Sequence, residues 1–162
     1  MIIRNAEERD LPDILEIYNY EVLHGVATLD LHEKTLDDRK MWFLAHTGSH
    51  RIIVAEIDGK SVGYASLSPY REKEAYKSTV ELSIYVNVNY RRQGIAKALM
   101  RKILEIAQND KSLHCVVSVI TSGNDASEKL HKDFGFTYCG TLREVGFKSG
   151  SYRDIDNFEL IL

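Results

Sequence analysis

Three successive segments leave this chain few ways to fold. VELSIYV, residues 80–86, alternates strictly, with Val80, Leu82, Ile84 and Val86 on one side and Glu81, Ser83 and Tyr85 on the other. Ile95, Ala98, Leu99, Ile103 and Ile106 then recur at helical spacing. HCVVSVI, 114–120, is almost wholly apolar, as expected of a strand covered on both faces. Strand, helix and strand in that order make a βαβ unit, so the two strands run parallel with a right-handed crossover.

The remaining elements follow from the same periodicities. MIIRNA reads as a strand, and Asp10 as the N-cap of a helix with Pro12 in its first turn. Leu11, Ile14, Leu15, Tyr18 and Val22 share one face of that helix. Thr35 opens a second helix, TLDDRKMWFLAH, which Gly48 ends. RIIVAEI and SVGYASLSPY form a hairpin around Asp58-Gly59, so part of the sheet is antiparallel. Asp125 to Phe134 is a short helix, and FTYCGTLREV and YRDIDNFELIL are two more strands. The expected fold class is α/β, a mixed sheet of about seven strands with helices on both faces.

At 162 residues the chain fits a single domain, 1–162, with its own core. A net charge of −3 argues against general nucleic-acid binding. No stretch approaches the roughly 18 apolar residues of a membrane span. MIIRNAEERD turns acidic too early for a signal peptide. Of the two cysteines, Cys115 lies in an apolar run and reads as a buried, reduced core thiol; the expected location is cytoplasmic. His46 and His50 share i, i+4 spacing, but Thr-Gly-Ser between them breaks the helix and nothing completes a tetrahedron, so no metal is expected.

The junction of the first parallel strand and its helix, NYRRQGIAKAL, carries the most chemical information. The first N–H groups of a helix lack intrahelical partners, and the helix dipole makes that end attractive to anions. Gly94 admits close backbone approach. Arg91 and Arg92 offer charge-assisted bonds. From spacing alone a solvated basic loop fits as well. Neither GxxxxGK[ST] nor GxGxxG is present.

What is present, Arg91-Arg92-Gln93-Gly94-Ile95-Ala96, resembles the [Q/R]-x-x-G-x-[G/A] coenzyme A signature of the GCN5-related N-acetyltransferase (GNAT) superfamily. The order of strands and helices matches that fold. TVELSIYVNVNYRRQG, SPYREKEAY, SGNDASEKLHKDFGF and GTLREVGFKSGSYRDIDNFEL are similar to the corresponding parts of phosphinothricin and methionine sulfoximine acetyltransferases, so the likeness spans nearly the whole chain.

This resemblance implies acetyl-CoA as co-substrate and the βαβ unit as its binding core. Backbone amides of Arg92 to Lys97 would hold its pyrophosphate, and the backbones of Ile84, Tyr85 and Val86, with Asn124, its pantetheine arm. Asn124 also suits the N-cap of its helix. Glu81, otherwise a solvent-facing strand glutamate, becomes the general base that frees the acceptor amine. His131 stands where many relatives have tyrosine; it is the implied acid or relay for the leaving thiolate, or a structural residue of its helix. Arg71, Lys73 and Tyr76 match a loop suited to an acceptor carboxylate, though a solvated charged loop has the same look. Leu29, where the family usually has phenylalanine, gives the acceptor pocket a different wall, and Tyr152 replaces a frequent tryptophan. The implied acceptor is a small amino-acid-like amine, and the implied assembly a homodimer. Another small amine, a protein N-terminus, and a non-catalytic acyl-CoA-binding module are the competing readings.

Overall fold

The structure, a computed structural model, describes residues 1–162. The element order is that expected: β1 (Ile2–Asn5), α1 (Leu11–His24), α2 (Leu36–Ala45), β2 (Ile52–Ile57), β3 (Lys60–Pro69), β4 (Thr79–Val86), α3 (Ile95–Asn109), β5 (Cys115–Thr121), α4 (Asp125–Asp133), β6 (Thr137–Lys148) and β7 (Ser151–Ile161). All seven strands form one sheet in the order β1-β2-β3-β4-β5-β7-β6. Only β4 and β5 pair in parallel; the other neighbours are antiparallel.

The β2–β3 turn uses Asp58 and Gly59 with φ of 50° and 79°, the left-handed conformation that an Asp-Gly hairpin favours. On one face of the sheet, Leu11, Ile14 and Ile17 of α1 pack against Ile52, Val54 and Tyr64. On the other, the α3 stripe joins Val80, Leu82, Val116 and Ile120 in the larger core. The alternation of β4 thus puts its apolar side under α3 and leaves Glu81, Ser83 and Tyr85 facing α1 and α2.

Several local expectations are corrected. Asp10 stands before α1, but its carboxylate makes no cap there. It accepts two 2.7 Å bonds from Arg4, one from the Glu7 N–H at 2.7 Å and one from Ser61 Oγ at 2.8 Å, tying β1, the α1 entry and β3 together. Thr35 does cap α2, reciprocally with Asp38, but α2 ends at Ala45, before Gly48, as the His46 ring takes the Trp42 carbonyl. Cys115 is only half-buried, because it opens β5 and points away from the α3 core. On that same side Val119 is 40% exposed, since α1 packs over β3 and β4 and leaves β5 partly open.

Candidate active site

The parallel pairing of β4 and β5 is short. It runs from Thr79↔Cys115 through Val80↔Val116 to Glu81↔Val117 and stops. Beyond that rung β4 keeps its partner β3 as far as Gly63↔Val86, and β5 keeps β7 as far as Thr121↔Ile155. The two strands therefore splay, and alternate N–H and C=O groups of Leu82–Val86 and Ser118–Thr121 face an open wedge. An extended, amide-bearing ligand satisfies such edges as an added strand does. The side chains of Ile84 and Val86 pack into the α3 core, leaving their backbones to the wedge.

Both helices of this region follow the parallel strands at the wide end of the wedge, α4 after a short turn and α3 after the longer loop that carries Arg91 to Gly94. α3 begins after Gly94, whose φ of 81° is left-handed and favours glycine; a Cβ there would meet nothing within 4 Å, so conformation rather than space is the constraint. Apart from the first intrahelical bond, Ala98 N–H to the Gly94 carbonyl, the amides at this end point outward, as at any helix start. Asn124 caps α4 by accepting from the Ser127 N–H at 3.3 Å. Lys97 of α3 lies 3.7 Å from Asp133 at the end of α4. Of the two arginines, Arg91 is drawn away to pair with Glu21 of α1, and its guanidinium lies 6.0 Å from the Tyr20 ring. Arg92 stays exposed, with a left-handed φ of 62°.

On the opposite face of the sheet lies a cavity of about 600 Å³, within the size range of small-molecule sites. Its floor is made by β3 and β4 residues paired across the strands: Ser68 with Glu81, Ser66 with Ser83, Tyr64 with Tyr85. The Tyr64 and Tyr85 rings stack at 5.3 Å, and Tyr18 of α1 stands edge-on to Tyr85 at 5.5 Å. Tyr85 Oη donates to the Ala27 carbonyl at 3.3 Å. Burial raises the Glu81 pKa above the ordinary carboxylate value, making it a stronger base than a surface glutamate. Glu81 is at once a wall of the cavity and the last rung before the wedge opens. Cavity and wedge meet along β4, and Glu81 is the carboxylate at their junction.

His131 lies on the α3 and α4 side, buried against Phe136 and Phe158. Its Nδ1 is 2.7 Å from the Ser127 carbonyl and its Nε2 2.9 Å from Ser118 Oγ. A carbonyl only accepts, so Nδ1 carries the hydrogen and Nε2 is the bare nitrogen. Burial lowers its pKa, keeping the ring neutral near pH 7. Ser118 Oγ also lies 3.4 Å from the Leu82 carbonyl, directly across the apex of the wedge. His131 thus reaches the wedge only through Ser118.

Arg71, Lys73, Tyr76 and Leu29 do not line this cavity. Arg71 and Lys73 are exposed, and the Arg71 guanidinium lies 4.9 Å from the Tyr70 ring and 5.6 Å from Tyr76. Leu29 packs onto Gly146 of β6, where its Cδ1 stands 2.7 Å from the place a Cβ would take. Its neighbours Thr28 and Asp30 are the ones that line the cavity. Sequence reading missed Arg39 and Trp42, on the face of α2 that closes the cavity, and the bracing of its floor at Ser68 by His46, just past that helix. Their i, i+3, i+7 spacing was the available signal.

Residues 12–136 match the model of the acetyltransferase (GNAT) family. The chain belongs to that family. It is 37% identical to phosphinothricin N-acetyltransferase from Streptomyces coelicolor, over 97% of this chain and 94% of that protein. It is 36% identical to the L-methionine sulfoximine/L-methionine sulfone acetyltransferase of Pseudomonas aeruginosa, over 99% and 94%. Among solved structures, a GNAT phosphinothricin acetyltransferase from Sinorhizobium meliloti in complex with acetyl-CoA superposes with a TM-score of 0.95 at 32% identity, covering 99% of this chain and 88% of that one.

Proposed function

We propose that this GNAT protein transfers an acetyl group from acetyl-CoA to the amine of a small amino-acid-like acceptor, of the kind represented by phosphinothricin or methionine sulfoximine and sulfone. One observation carries the reading: Glu81 both lines the cavity and ends the β4–β5 ladder, so an amine in the cavity and a thioester in the wedge share one carboxylate.

The roles follow from position. The amides of Arg92, Gln93, Gly94, Ile95, Ala96 and Lys97 hold the pyrophosphate, with Arg92 adding charge. The open backbone edges of Ile84, Tyr85 and Val86 hold the pantetheine arm, with Asn124 opposite. Acetyl-CoA supplies the acyl group as a thioester. Glu81 takes the proton from the attacking amine, a function aided by its raised pKa. An N–H on the open β4 edge steadies the carbonyl oxygen. His131 acts on the thiolate side through Ser118.

The assembly we propose is a homodimer. Edge strand β6 and the start of β7 expose Tyr138, Leu142, Val145, Phe147 and Tyr152, each more than half open to solvent, an apolar sheet edge suited to a second copy. The proposed location is the cytoplasm, where the free thiols of Cys115 and Cys139 stay reduced. No helix is long and apolar enough to cross a membrane.

A thiol-release screen with acetyl-CoA tests the reading against phosphinothricin, methionine sulfoximine, methionine sulfone, ordinary amino acids and polyamines. Turnover with the amino-acid analogues above all others is the expected result. Absence of thiol release with every amine overturns it and leaves an acyl-CoA-binding module.

A further inference from the structure

Arg39 is a buried charged side chain of the cavity to which the roles above give nothing to do. It is only 5% exposed. Its Nε has no hydrogen-bond partner. The acidic neighbours are engaged elsewhere. Asp30 accepts from Tyr18 Oη at 2.5 Å and pairs with Lys34 at 3.1 Å. Asp38 closes the α2 cap by accepting from the N–H and hydroxyl of Thr35 at 2.7 and 2.8 Å. Both carboxylates feel the Arg39 charge, but neither forms an ion pair with it, and a buried cation left without one is expensive, so its persistence needs another reason.

Its setting supplies one. The guanidinium carbon lies 3.9 Å over the Tyr18 ring and 4.9 Å from the Trp42 ring. Attraction to the ring faces uses none of its N–H groups, and Nε has no other partner. The N–H fork of a guanidinium matches a carboxylate in a two-bond geometry. Glu81 lines the same cavity. A base and an unpaired cation in one chamber are complementary to a molecule bearing both an amine and a carboxylate.

We propose that Arg39 is the acceptor's carboxylate site, holding the acid group of an amino acid whose amine is presented to Glu81. The identity of the acceptor rests on the acetyl-transfer reading; the anion site does not. It replaces the exposed Arg71 and Lys73 as the residue that separates amino acids from simple amines.

The test uses Trp42, the chain's single tryptophan, as a built-in reporter beside Arg39. With saturating coenzyme A present, the full-length protein is titrated by tryptophan fluorescence with methionine sulfone and with methionine sulfone carboxamide. Methionine sulfone has no second anionic group, so a difference reads the α-carboxylate alone. Losing a hydrogen bond to a charged group costs about 1.5–3 kcal/mol, or about 10–150-fold. The acid should bind more tightly than the amide by that factor. Arg39→Gln should abolish the difference, while an Arg71→Ala/Lys73→Ala double variant keeps it. Coenzyme A binding by calorimetry checks that Arg39→Gln folds; if it does not, the acid–amide comparison in the unaltered protein still decides. Equal affinity for acid and amide overturns the proposal, as does a preference that survives in Arg39→Gln or vanishes in the double variant. If no amine releases thiol but the acid still outbinds the amide, the carboxylate site stands and the transfer reading falls. Turnover with equal KM for acid and amide gives the reverse.

Discussion

Two histidines on opposite faces of the sheet are wired alike. His46, just past α2, has Nδ1 at 2.7 Å from the Trp42 carbonyl and Nε2 at 2.9 Å from Ser68 Oγ. His131, in α4, repeats both distances with the Ser127 carbonyl and Ser118 Oγ. Each ring reaches back four residues to a carbonyl, so each hydrogen sits on Nδ1 and each Nε2 accepts from a strand serine. The serines differ. Ser68 lies opposite Glu81 on the cavity floor, with its hydrogen committed to His46 and its lone pairs left to the chamber. Ser118 lies at the apex of the wedge with two acceptors, His131 and the Leu82 carbonyl, contending for one hydrogen. Protonation of His131 would turn that hydrogen toward Leu82. Under the proposed function the same local device orders an acceptor on one face and serves the leaving thiolate on the other. The residue in the strand, not the histidine, determines the difference.

The largest expected effect isolates the residue the two faces share. Glu81→Gln keeps shape and removes basicity. At neutral pH kcat/KM should fall by roughly 10²–10⁴ and recover at high pH, where free amine is abundant. Wild-type kcat/KM at neutral pH, with chemistry rate-limiting, would remove Glu81 as the base.

Replacing each histidine in turn should separate the two faces. His131→Ala should lower kcat by roughly 10²-fold, as for a lost acid–base group. Acetyl-CoA affinity should be kept, and the loss should shrink with a thioester whose thiol is more acidic. His46→Ala should instead raise the acceptor KM about fivefold, the worth of one ordinary hydrogen bond, whichever thioester is used. His46→Ala leaves Ser68 without its ring partner, whereas in His131→Ala Ser118 keeps the Leu82 carbonyl. A common kinetic signature for the two would collapse the distinction.

Gly94→Val probes the wide end of the wedge alone. A branched side chain at φ of 81° costs about 1–2 kcal/mol, so the acetyl-CoA KM should rise about 5–30-fold with the acceptor KM held. Equal changes in both constants would show that the glycine shapes more than the coenzyme site.

How far this comparison was legible in the sequence depends on the range of each interaction. Period and turn chemistry are local, and they placed every strand and helix, the inward side of β4 and the glycine before α3. Pairings across long separations were not visible. Arg91 looked like a phosphate ligand until Glu21, on α1, was found holding it. The length of the β4–β5 ladder, which creates the wedge, is a property of two strands 36 positions apart in register. His131 was singled out by resemblance. His46 was weighed only as a metal ligand, because nothing in its own segment announces Ser68, 22 residues on. Arg39 reads as an ordinary helix arginine, since its significance lies in burial without an ion pair.

The smallest expected effect is on stability, and it sets the histidines against Glu81. Burial lowers the pKa of His46 and of His131 below the ordinary 6.5. Above 6.5 both rings are neutral in the folded and unfolded chain. Below it the unfolded chain takes up protons that the folded one refuses, so stability must fall as pH drops through that window. Thermal midpoints between pH 7.5 and 5 should therefore decline toward acid, and His46→Gln or His131→Gln should each flatten part of the slope. Glu81 has the opposite sign. Its folded pKa lies above the ordinary 4.5, so as pH rises the unfolded chain loses this proton first and stability falls. Glu81→Gln should then melt slightly higher than the unaltered protein at pH 7. A lower midpoint for that variant, with both histidine slopes intact, would mean that the Glu81 carboxylate is held by a favourable partner rather than raised by burial.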